Sequence, residues 1–193
     1  MKRTERAMAQ RKVRDMTLTA VFAALLAICS QIVIPLGVIP LTLQTAAVYM
    51  TALALGPARG TAAIGLYILL GAVGLPVFAG ATAGIGVLAG PTAGFLWGFL
   101  LVPLISGTLI GKMKQNRFLS YIIALLPGFL AIFGLGLVWL KYTMALSWTA
   151  ALTMGVLPYL PGDCGKIVLA AYVGHRLYRA GVGYGASKEK RCF

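Results

Sequence analysis

Six apolar runs, at about 17–35, 42–56, 60–76, 91–111, 118–140 and 158–179, fill most of this chain and dictate the solvent in which it folds. Pro, Gly and charge bound each run, where a soluble domain would place longer polar stretches. A helix needs roughly 20 apolar residues to cross about 30 Å of hydrocarbon, so the chain has room for six crossings and little else. With 60% of its 193 residues hydrophobic and 11% charged, it lies outside the range of ordinary soluble domains. The expected fold is an all-α integral membrane protein, a six-transmembrane-helix bundle. It forms one domain over 1–193: a basic cytoplasmic tail at 1–16, the bundle from about 17 to 179, and a second cytoplasmic tail at 180–193. The first run, Thr17 to Pro35, is too long for a signal-peptide core and lacks a small-x-small cleavage site, so it is expected to stay as the first span.

The formal charge of +13 does not point to nucleic acid, because the bases sit in short clusters beside apolar runs, where membrane lipid and topology account for them. On alternate sides of six spans, fifteen of the 17 Lys and Arg residues fall on the side holding both termini, Arg59 and the Lys112–Arg117 loop. That side is the cytoplasm by the positive-inside rule. The exceptions are Lys141 and Lys166. Three of the four acids, Glu5, Asp15 and Glu189, lie in the tails, which leaves Asp163 alone among the spans. An ionisable side chain there costs several kcal/mol, on the order of 3, unless it is paired or faces a cavity. Lys166, three residues on, is its natural partner on one helical face. Pro161-Gly162 mark the start of the last helix, with Asp163 as a candidate N-cap. Nine residues separate Lys166 from Arg176, roughly half a bilayer of helix, so the pair is expected below the outer surface and beside an outward-open cavity. The alternative is an ion pair that only fixes the helix start.

Other features have plain readings. Cys29, Cys164 and Cys192 have no metal-ligand spacing and read as small apolar residues. Trp139, Tyr142 and Trp148 around Lys141 read as an interfacial aromatic belt.

Four strings, VIPLTLQT (Val38–Thr45), YILLGAVGLPVFAG (Tyr67–Gly80), GPTAGF (Gly90–Phe95) and PYLPGDCGK (Pro158–Lys166), occur in the order found in one known family. On these residues, from about Ala20 to Tyr172, the chain resembles the BioY family, the biotin-specific substrate-capture (S) components of energy-coupling-factor (ECF) vitamin transporters. The resemblance implies a six-helix protein that binds biotin in an outward-facing pocket. It delivers biotin inward only with an ECF scaffold subunit and ATP-binding subunits. It implies a multi-pass protein of a bacterial plasma membrane with no cofactor of its own.

Within PGDCGK the family pattern makes Asp163 and Lys166 substrate contacts. Biotin has a carboxylate that suits an ammonium and a ureido head whose N–H groups suit a carboxylate, which assigns Lys166 to the carboxylate and Asp163 to the ureido group. Which end lies deeper stays open. Tyr67, Phe78 and Phe95 are candidate walls for the apolar part. Gln44 and Thr42 fit either a lid over the pocket or helix capping at headgroup level, and Thr92 either a contact or a helix start after Pro91. Two departures stand out: Ala93 and Phe95 occupy positions where Gly and Tyr are common in the family, and no Arg, Lys or Asn occurs between Arg59 and Lys112. No base there can then take the second carboxylate oxygen, which backbone N–H groups of the glycine-rich loops could serve instead. Ala20, Ala24 and Ala27, with Ala23 offset, resemble the face on which S components dock their scaffold; internal packing is the alternative.

The chain has no G-x-x-x-x-G-K-[ST] phosphate loop, so it brings no ATPase of its own. A rival within transport is an S component for another carboxylated vitamin. A rival from another class, an intramembrane enzyme, lacks paired catalytic groups, because His175 lies beside Arg176 and far from Asp163.

Overall fold

The computed structural model describes residues 2–35, 39–113, 118–181 and 184. Helix α1 covers Lys2–Gln31, and a short antiparallel pairing of β1 (Val33–Ile34) with β2 (Leu41–Thr42) follows. Next come α2 (Gln44–Ala72), a 3-10 turn at Ala79–Ala81, and α3 (Ile85–Ala89). Helix α4 (Ala93–Val102) continues through a π-turn at Pro103–Gly107 into α5 (Thr108–Ile110). The chain ends with α6 (Phe118–Thr143), α7 (Trp148–Gly155) and α8 (Leu160–Arg179). Four helical stretches, Met8–Gln31, Gln44–Ala72, Ala93–Ile110 and Phe118–Thr143, are long and apolar enough to cross a membrane.

Helix α2 is not one rod. Gly56 inside it has φ 73 and ψ −168, a conformation that interrupts the helix and that L side chains rarely adopt. In a straight helix Gln44 and Tyr67 would stand roughly 35 Å apart at 1.5 Å per residue. Their side chains are instead hydrogen-bonded at 2.7 Å, so the chain reverses between them. The reversal centres on Gly56 and gives two antiparallel arms, 44–55 and 57–72, as the sequence implied for GPARG. Arg59 at this tip bonds Asp15 of α1 at 2.7 Å, and the ring of Tyr184 occupies the space where a Gly56 Cβ would go.

Association in lipid rests on close packing, and glycine permits it. A Cβ on Gly98 of α4 would lie 2.8 Å from Ile132 Cα of α6, and one on Gly94 would lie 2.3 Å from Trp139 Cβ. Tyr49, Tyr67, Tyr121, Leu26 and Ile64 fill the interior, whereas Ile28, Leu69 and Leu130 face outward.

The basic segment before residue 17 is helical, since α1 runs unbroken from Lys2. Two sequence expectations need correction. The connection after Lys141 holds a helix of its own, α7, whose N-cap Ser147 accepts the Ala150 N–H at 3.2 Å. Asp163 is not an N-cap: it is the fourth residue of α8, and its N–H bonds the Tyr159 carbonyl at 2.9 Å in the helical pattern. Its carboxylate is therefore free for other partners. The expected C-terminal tail at 180–193 and Cys192 lie largely or wholly outside the described residues.

Candidate functional site

One cavity of about 470 Å³ opens at the end of the bundle where α2 and α8 begin. The first two turns of α8 bring Asp163 and Lys166 to the same face, three residues apart. Lys166 Nζ donates to Asp163 Oδ1 at 2.5 Å. Thr45, in the first turn of α2, joins them: its hydroxyl donates to Asp163 Oδ1 at 2.9 Å and accepts from Lys166 Nζ at 2.9 Å. The carboxylate is only 3% exposed at the residue level, so the nearby ammonium and hydroxyl compensate the cost of burying it. Tyr159, one turn before Asp163, donates its hydroxyl to the Ile39 carbonyl and so ties the start of α8 to the segment before β2.

The remaining walls are mostly apolar. Phe78 comes from the loop after α2, Phe95 and Phe99 from α4, and Ile132 and Phe133 from α6. Phe95 meets Phe133 edge to face with centroids 6.1 Å apart. Such a chamber, with a few convergent polar groups, is built for a small amphipathic ligand.

Of the residues singled out in the sequence, Thr42, Gln44, Phe78, Thr92, Phe95, Asp163 and Lys166 all line this cavity. Thr42 also accepts the backbone N–H of Gln44 at 3.3 Å, so it caps α2 as well. Thr92 immediately precedes α4, and its side chain makes no capping bond. Tyr67 is not a wall. It is fully buried behind the lining, where its hydroxyl accepts from Gln44 Nε2 and its ring meets Phe78 edge to face at 5.6 Å. Thr45 was missed, although it closes VIPLTLQT one residue after Gln44. Its signal was a hydroxyl at the start of an apolar helix, which alone does not tell a contact from a cap.

On α1, Ala20 and Ala24 face outward, Ala27 packs partly against the core, and Ala23 is buried inside the bundle. His175 packs its ring against Tyr121 at the opposite end of α8 from Asp163. Among the described residues no group of His, Cys, Asp and Glu could hold a metal ion. Lys141 lies over the rings of Tyr142 and Trp148, at 4.6 and 4.9 Å from their centroids.

Comparison with known proteins decides the family. The BioY family model matches residues 2–182, nearly the whole chain. The chain belongs to the BioY family. Its BioY relatives include the "Biotin transporter BioY2" of Lactococcus lactis subsp. cremoris, 38% identical over 88% of this chain and 92% of the relative. Another is the "Biotin transporter BioY" of Thermotoga maritima, 38% identical over 86% of this chain and 96% of that one. Among solved structures, the S-component for biotin from an ECF-type ABC transporter is similar with a TM-score of 0.83. That likeness carries 30% identity over 90% of this chain and 95% of the other. In this BioY chain, all four strings that carried the resemblance contribute residues to the one cavity: Thr45, Phe78, Thr92 and Lys166 stand one from each.

Proposed function

We propose that this chain is the biotin-binding S component of an ECF-type uptake transporter, working with a membrane scaffold and ATP-hydrolysing subunits supplied in trans. The observation that carries the reading is the Asp163–Lys166–Thr45 cluster at the polar end of an otherwise apolar cavity, in a chain whose relatives are named biotin transporters. It is a transport role, not an enzymatic one.

The geometry favours one orientation of the ligand. The carboxylate and ureido ends of extended biotin lie much farther apart than the 2.5 Å between Lys166 and Asp163, so one pair cannot serve both ends. A neutral ion pair offers one acceptor and one donor, which matches a neutral ureido group; a ligand carboxylate there would repel Asp163. Asp163 would therefore accept a ureido N–H and Lys166 would donate to the ureido carbonyl. The carboxylate would lie toward Thr92 and the start of α4, where the positive end of the helix and a free hydroxyl favour an anion.

We read the chain as crossing the plasma membrane six times, with both termini in the cytoplasm. The distribution of bases and the reversal at Gly56, which turns α2 into two arms, support this reading. The outward face of Ala20 and Ala24 is the proposed scaffold-docking surface. Equilibrium binding of biotin to the purified protein, with unlabelled vitamins as competitors, tests the function. Saturable binding displaced by biotin alone supports it; no binding, or displacement by another carboxylated vitamin, overturns it.

A further inference from the structure

Among the described residues that line the cavity, the charged side chains are Asp163 and Lys166, and they neutralise each other at 2.5 Å. One other described base, Lys141, stands at this end of the bundle. It lies two residues beyond Trp139 of α6, whose indole N–H donates at 2.9 Å to the carbonyl of Gly90 in the cavity wall. Two residues turn a helix by about 200°, so Lys141 leaves α6 on the face away from that wall. There its ammonium lies over the rings of Tyr142 and Trp148. Arg59 and Lys112 belong to the far end: Arg59 bonds Asp15 beside the Gly56 reversal, and Gly111 meets the same Tyr184 ring that covers Gly56. Arg176 and Arg179 close the opposite end of α8. Among the described residues, no cation is left for the carboxylate of a ligand whose head occupies the pair.

Neutral donors are sparse as well. The lining changes from buried at Gln44 and Asp163 to exposed at Thr82 and Gly86, which places the mouth at the segment between α2 and α4. Thr82 spends its hydroxyl proton on the Ala79 carbonyl at 3.0 Å, whereas Thr92 makes no side-chain bond to cap α4. The Thr92 hydroxyl can donate to the carbonyl oxygen of an ester or amide as well as to a carboxylate. The start of α4 adds about fivefold or less in favour of an anion. Stripping water from a carboxylate against apolar walls without a cation costs more than that, so a charged tail keeps its water at the mouth.

We propose that the site reads the ureido head of its ligand and not the charge of its tail, so that neutral esters and amides of biotin are ligands on a par with the free acid. This rests on the biotin reading above and extends its substrate class. The Asp163–Lys166–Thr45 cluster fixes the head, and the tail passes Phe78 and Phe95, where length and apolarity count and charge does not.

The test uses the full-length purified protein and competes radiolabelled biotin with unlabelled biotin, biotin methyl ester and biotinamide. Both neutral compounds should bind within about fivefold of biotin, the most that the helix start adds. A greater loss for either one overturns the proposal, because a carboxylate held by a charge-assisted bond is worth about tenfold or more. Lys166→Met gives a second measure. It should weaken biotin and biotinamide by the same factor, since both lose the donor to the ureido carbonyl. A loss confined to biotin would assign Lys166 to the carboxylate and overturn the proposal. A misfolded fraction lowers binding capacity and leaves these ratios unmoved. Tight biotin binding with weak binding of the neutral compounds sinks this inference alone; failure of the wild type to bind biotin overturns the transport reading and the inference with it.

Discussion

Gln44 and Tyr67 are hydrogen-bonded at 2.7 Å although 23 residues of almost unbroken helix separate them. That contact makes the reversal at Gly56 and the floor of the cavity one construction. The turn returns Tyr67 beside Gln44, and Gly71, one turn further, leaves the space that the Phe78 ring fills. A helix tip at one end of the bundle thus fixes the lining at the other.

The buried pair should dominate affinity. Asp163→Ala and Lys166→Ala are each expected to weaken biotin binding tenfold or more, since charge-assisted bonds are worth roughly 1.5–3 kcal/mol. Titration calorimetry on purified protein reads this. Wild-type affinity in both variants, with unchanged melting temperature, would remove the cluster from the site.

Topology can be tested with a membrane-impermeant thiol reagent in a cysteine-free background. A cysteine at Tyr142, which is 71% exposed beside Lys141, should react in intact cells. One at Lys112 should react only after the membrane is opened, because it lies on the side that holds fifteen of the 17 bases. The reverse pattern would turn the cavity toward the cytoplasm.

Enlarging the outward face of α1 should separate capture from transport. Ala20→Trp or Ala24→Trp is expected to abolish uptake and co-purification with the scaffold while leaving biotin affinity within about twofold, because a bulky ring holds two helices apart. Retained uptake would show that the face does not dock a partner; loss of binding as well would mean that it packs the bundle.

Glycine contacts give a contrast in stability. Gly98→Ala should lower the melting temperature, because the added methyl would meet backbone of α6 at 2.8 Å, and backbone does not give way as a side-chain tip does. Gly65→Ala, where nothing lies within 4 Å of the added carbon, should leave the melting temperature unchanged or raise it. Equal destabilisation by both would mean that close approach of α4 and α6 is not what the glycine provides.

Much of this was legible in the sequence, because a bilayer admits few solutions. Length and apolarity found the helices, and the solitary Asp163 identified the pair and hence one end of the cavity. What stayed hidden depended on contacts between distant segments. Thr45 and Tyr67 are an ordinary hydroxyl and an ordinary aromatic until α8 and the second arm of α2 are brought against the first. The N-cap expected of Asp163 failed because α8 starts one turn earlier, at a tyrosine with no capping side chain. Helix α7 lay in a stretch too short and too mixed to stand out beside the longer runs. The pair Gly94 and Gly98, four apart on α4, is a packing signal that the sequence itself carries.

The reversal at Gly56 also bears on how the first arm is held. The first arm of α2, 44–55, is about 18 Å long at 1.5 Å per residue, well short of about 30 Å of hydrocarbon. Left alone in a bilayer it would draw the polar ends of Gln44 and Thr45 into lipid with no partner. Folded against the second arm and α8 it keeps both satisfied, Gln44 on the Tyr67 hydroxyl and Thr45 between Asp163 and Lys166. The glycine that allows the turn thus brings a short polar-ended arm the partner it needs.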